Sequence, residues 1–151
     1  MSFRKSVFAI LAGGLAFLVI QTLISSTIIQ TYFPYDILTI GGMRQAADPL
    51  MILFFLHSFV LMIGAVILYP ILKLTGTALQ KGMRLGALMW LAYSVPSSYI
   101  VYTSMTYPVG FYLESFVFSF ASWVVAGIII ARTIEEKAIK AEPKTKHKRK
   151  K

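Results

Sequence analysis

Hydrophobic positions along this chain fall into long runs, not into the alternation of half-buried strands. Four such runs are visible: Val7 to Ile29, Leu50 to Leu72, Leu85 to Thr103 and Phe111 to Ile134. A helix needs about 20 residues to cross a hydrocarbon layer of roughly 30 Å, and each run comes close to or exceeds that length. Backbone polar groups in lipid must be satisfied within the segment, so each run is expected to be a helix. Spanning strands would be shorter and would alternate polar with apolar residues. The pattern therefore predicts an all-α integral membrane protein, a four-transmembrane-helix bundle over residues 1–134. A polar cytoplasmic tail, residues 135–151, follows and is expected to be disordered.

Two boundaries carry local signals. Asp48-Pro49 predicts the start of the second helix, with an N-cap acceptor before a proline at the first helical position. The N-terminus opens like a signal peptide, with Arg4 and Lys5 ahead of an apolar stretch. That stretch is longer than a signal-peptide core, and no small-residue cleavage site follows. We read it as a retained first helix.

Composition sharpens the class. Hydrophobic residues make up 57% of the 151 positions and charged residues 14%, against about a quarter charged in soluble domains. There is no cysteine, which excludes disulfides, thiolate metal sites and thiol chemistry. The net charge of +9 suggests nucleic acid until its distribution is read. With both termini on one side, all but one of the 15 lysines and arginines share that side, and Arg44 stands alone opposite. The positive-inside rule then predicts N-in and C-in. Tyr32, Phe33, Tyr35, Tyr102 and Tyr107 fall at the outer boundary, where amphipathic rings anchor. The tail "KAEPKTKHKRKK" reads either as a topology determinant or as a segment drawn to anionic lipid, at about 1 kcal/mol per basic residue near the surface. No nucleic-acid partner is expected. Short basic loops suit a bacterial or archaeal plasma (inner) membrane, with both termini cytoplasmic.

An internal repeat is one expectation of the pattern. "LHSFV" (Leu56 to Val60) matches "LESFV" (Leu113 to Val117) at four of five positions. Aligning Lys5 with Lys81 sets Gly14 against Trp90, Phe17 against Tyr93 and Gln21 against Ser97. Two tandem helix hairpins, related by a pseudo-two-fold along the membrane normal, would produce this.

Polar residues inside apolar runs are the candidate chemistry. Trp90, Tyr93, Ser94 and Ser97 share one helical face beside Pro96, and Gln21 and Ser25 form a stripe in the first helix. His57 and Glu114 are the ionisable residues within the spans, apart from terminal anchors. Gln21, His57, Ser94, Ser97 and Glu114 thus form a candidate intramembrane polar site. Two readings stay open: a wetted pathway or substrate cavity beside a broken helix, or simple helix-to-helix hydrogen bonding with Glu114 flanking a helix N-terminus. His57 and Glu114 are expected to face each other across the pseudo-axis. Gly82, Gly86, Ser115, Ser119 and Ser122 form small-residue stripes that permit close helix packing, within the chain or between copies. No metal-ligand spacing, nucleophile elbow or phosphate-binding glycine loop is present, so neither metal nor cofactor is expected.

Three functions fit. The first is a non-enzymatic accessory or assembly subunit, with a membrane-protein partner or as a homo-oligomer in the lipid bilayer. The second is a small transporter or channel component using the groups near Pro96 and at the His57/Glu114 level. The third, a membrane-embedded enzyme, has the fewest polar groups in its favour.

Overall fold

The computed structural model describes residues 2–36, 40–41, 44–45 and 47–135, and every regular element among them is helical. The basic tail and its expected lipid contact lie outside the described residues. Four long helices run through the chain: α1, Phe3–Tyr32; α2, Met51–Ile71; α3, residues 78–104; and α4, Val109–Glu135. α1, α2 and α4 are long and apolar enough to cross a membrane; α3 is not among them. It carries Lys81 and Arg84 near its start and the stretch Tyr93-Ser94-Val95-Pro96-Ser97-Ser98-Tyr99 in its middle.

Helix starts differ from the hydrophobic pattern, for local reasons. α3 begins well before Leu85 because Thr77 opens a capping box. The Gln80 backbone N–H donates to the Thr77 hydroxyl at 3.3 Å, and the Thr77 N–H donates to the Gln80 side chain at 3.0 Å. That exchange satisfies two orphan donors of the first turn. At α2 the expected Asp48 cap is displaced. Asp48 accepts from the Leu50 N–H at 2.8 Å and from Arg44 at 2.6 Å, and the helix starts at Met51. The Leu50 N–H and then the Arg44 guanidinium hold the Asp48 carboxyl below its ordinary range.

Three of the helices are not uniformly α. Ser25–Ile29 in α1, Trp90–Ser94 in α3 and Leu113–Phe118 in α4 are π-helical. In α3 the cause is visible. Pro96 has no N–H, and its ring crowds the carbonyl four residues back. The Val95 N–H reaches past the Leu91 carbonyl to that of Trp90, a five-residue bond, and the Ser97 hydroxyl donates to the Ser94 carbonyl at 3.2 Å. The widened turn lets the helix continue through the proline.

The helices pack in the order α2, α1, α4, α3, and α2 touches α3 and α4 only slightly. α4 is the centre, burying Ser122, Trp123, Ala126 and Ile130. A two-fold relating the hairpins would turn the α1–α4 contact into an equally large α3–α2 contact. That contact is minor, so the helix packing lacks the two-fold expected from the repeat. α3 meets α4 through glycines. A methyl group built on Gly86 would lie 2.6 Å from the Val124 Cα, and one on Gly127 would lie 2.8 Å from the Gly86 nitrogen. The Gly82/Gly86 face is therefore filled by α4 of the same chain.

One end of the bundle is tied together. The Lys5 ammonium donates to the Ile134 carbonyl at 2.6 Å. Glu135 accepts from Lys81 at 2.8 Å and from the Tyr69 hydroxyl at 2.6 Å. These bonds join all four helices at the end holding Phe3 and Glu135, while the opposite end contains a cavity.

Candidate functional site

A cavity of about 620 Å³ lies toward the loop end, with walls from all four helices and from the loop after α1. Its lining runs from Phe17 and Leu61 near mid-bundle to Gln30 and Asp36 at the loop end. The π-helical segments of α1, α3 and α4 all contribute to its wall, through Ser25, Ser94 and Glu114. A π turn carries an extra residue and shifts the face that follows it. Here those shifts coincide with a region where the helices stand apart.

Glu114 is the hub of the polar wall. Its carboxylate accepts from Gln21 at 3.3 Å, from the Ser25 hydroxyl at 3.3 Å and from the Tyr35 hydroxyl at 2.7 Å. The Tyr35 bond is the short one; the other two are at the long limit. Ser122 donates to the Gln21 carbonyl oxygen at 3.1 Å, which turns the amide N–H toward the carboxylate and fixes the orientation of the Gln21 amide. All three donors are neutral. They orient the carboxylate, and among the described residues no lysine or arginine pairs with it. Burial, then the bond to Glu114, pushes the Tyr35 hydroxyl above its ordinary range, so it stays protonated and remains a donor.

Tyr35 reaches Glu114 because the loop folds onto α4 at Gly110. A methyl group there would meet the Phe33 carbonyl, and would stand 2.8 Å from the Tyr35 ring. Only glycine leaves that room.

The five candidate polar residues, Gln21, His57, Ser94, Ser97 and Glu114, all line this one cavity. Their roles differ. Ser94 accepts from the Trp123 indole at 3.0 Å. His57 stands on the α2 wall with its ring edge-on to Phe17, 6.4 Å between centroids. Its Nδ1 contacts the Phe54 carbonyl. Among the described residues no hydrogen bond or ion pair joins His57 to Glu114; they share a cavity and not a bond.

The serine stripe behaves differently from interhelical glue. Ser115 donates to the Phe111 carbonyl at 2.8 Å and Ser119 to the Ser115 carbonyl at 2.7 Å, both within α4. Ser122 alone of the three bonds another helix, through Gln21.

Among the polar wall residues outside the candidate set are Tyr35, which reads as part of the interfacial ring of aromatics, and Ser98 beside Ser97. Ser98 is 9% exposed and its hydroxyl has no hydrogen-bond partner. Its place on the Ser94 face, four residues on, was the available signal. No protein-family model, curated protein or solved structure matches the chain.

Proposed function

We propose that the chain is a four-span membrane protein, N-in and C-in, whose outer-half cavity admits a solute, so that it works as a small transporter or channel component. The observation that carries this reading is the Glu114 carboxylate on the wall of a 620 Å³ space, held by three neutral donors. A carboxylate within a membrane span is costly and marks a functional site by default. A purely structural role would be expected to bring it a cationic partner, and among the described residues no lysine or arginine lines the cavity. The fourth crossing is supported by α3 running beside α4 from Gly82 to Trp90, whose indole donates to the Phe116 carbonyl at 2.7 Å. The orientation rests on the one-sided lysines and arginines, and short basic loops suit a bacterial or archaeal plasma membrane.

A second reading, an accessory or assembly subunit, is favoured by α2. That helix leans on α1 almost alone, and Ile52, Leu53, Leu56 and Val60 are exposed. A membrane partner or a second copy would dock there.

The absence of native cysteine allows a direct test. Ser97→Cys is expected to react with an impermeant maleimide added outside intact cells, while Thr75→Cys, in the α2–α3 turn, reacts only after permeabilisation. Reversed labelling would overturn the orientation, and an unreactive Ser97→Cys on either side would overturn the open cavity.

A further inference from the structure

We infer that the cavity binds an organic monocation bearing bulky apolar or aromatic groups; this rests on the solute-cavity reading above. The charge argument comes first. Glu114 presents an oriented carboxylate with three of its roughly four lone-pair sites occupied by neutral donors. A lone-pair site and the whole negative charge remain for a ligand. The other ionisable groups on the wall are His57 on α2 and Tyr35 and Asp36 in the loop, and Tyr93 on α3. None of them carries a fixed positive charge, so among the described residues an anion finds no counter-charge there.

Shape and surface then select among cations. Among the described residues no group of three histidines or carboxylates could hold a metal ion, and hard cations want six or more oxygen ligands, or several retained waters. The volume of about 620 Å³ lies in the range that encloses a drug-sized molecule. Phe17, Phe54, Tyr93 and Phe111 line it, and aromatic faces attract a cation within about 6 Å of the ring centre. A bulky cation seated between the carboxylate of α4 and the rings of α1, α2 and α3 uses each of these features.

The test uses two ions of the same shape and opposite charge, tetraphenylphosphonium and tetraphenylborate, titrated calorimetrically against the full chain in nanodiscs. The wild-type protein is expected to bind the phosphonium saturably and to protect Ser97→Cys from maleimide. Glu114→Gln is expected to weaken phosphonium binding by about tenfold or more, the equivalent of 1.4 kcal/mol. Equal binding of the two ions by the wild-type protein would overturn the inference, and that comparison needs no variant to fold. Phosphonium binding unchanged in Glu114→Gln would overturn it as well. If Ser97→Cys reacts from outside and the phosphonium does not bind, the cavity reading stands and the cation inference falls. If Ser97→Cys does not react, both fall.

Discussion

Tyr35 sits in a loop, yet it makes the shortest bond to Glu114, 2.7 Å. Removing that hydroxyl leaves a carboxylate in the bundle with two long bonds. Tyr35→Phe is expected to cost about 1–2 kcal/mol, the value of a hydrogen bond to a charged group in a partly exposed setting; unfolding midpoints in mixed detergent would read it, and an unchanged midpoint would remove Tyr35 from the site. The Tyr35 pKa is raised in the fold, so its contribution is complete below the ordinary tyrosine value near 10 and is lost only as pH rises through the raised one. The Tyr35→Phe difference should therefore be constant through neutral pH. Much of this site was legible as residues: Gln21, His57, Ser94, Ser97 and Glu114 stand out because polar groups are expensive in apolar runs. Tyr35 was not, because a tyrosine at a helix end already has a generic interfacial explanation. Its bond depends on a loop folding over Gly110, which no periodicity encodes.

At the scale of the helix, apolarity and helical extent part company. The runs located all four helices; their starts were set by other chemistry, the Thr77 capping box and Asp48 turned toward Arg44, and their interiors hold π turns that no hydrophobic pattern marks. The glycines show the same divide. GxxxG spacing was legible at Gly82 and Gly86, and Gly127 as the facing residue was not, because pairing of helices is set by the whole bundle. Gly86→Leu should break the α3–α4 crossing, costing about 3 kcal/mol or more from overpacking against backbone. Gly64→Ala in α2 meets nothing within 4 Å and should be neutral or stabilise by up to about 1 kcal/mol through helix propensity. Folded yield and thermal midpoints of the two variants would check this; a tolerated Gly86→Leu would contradict the crossing.

For the molecule as a whole, one end is fastened and the other is hollow. Glu135, Lys81, Tyr69 and Lys5 join the four helices at the terminal end. That fastening is partly exposed, so its stability contribution is modest, about 0.2–1 kcal/mol for the ion pair. Its local effect should be larger. Glu135→Gln is expected to speed amide exchange in residues 78–84 and 130–134 while leaving the Glu114 level unchanged; uniform acceleration would mean that the two ends are not independent. The row-like order α2, α1, α4, α3 was not legible from the sequence, because apolar surfaces that face lipid and those that face helices read alike.

The Gln21–Glu114 bond joins residues 93 apart in the chain. During synthesis α1 and α2 are complete long before α4 exists. Gln21 and Ser25 then enter the bilayer with their eventual acceptor untranslated, and α1 lacks the neighbour that buries it most. The half-made chain thus carries a polar stripe whose acceptor is still to come, and α4 is the helix that supplies it. Release or pausing between α2 and α4 would leave Gln21 and Ser25 without their Glu114 acceptor.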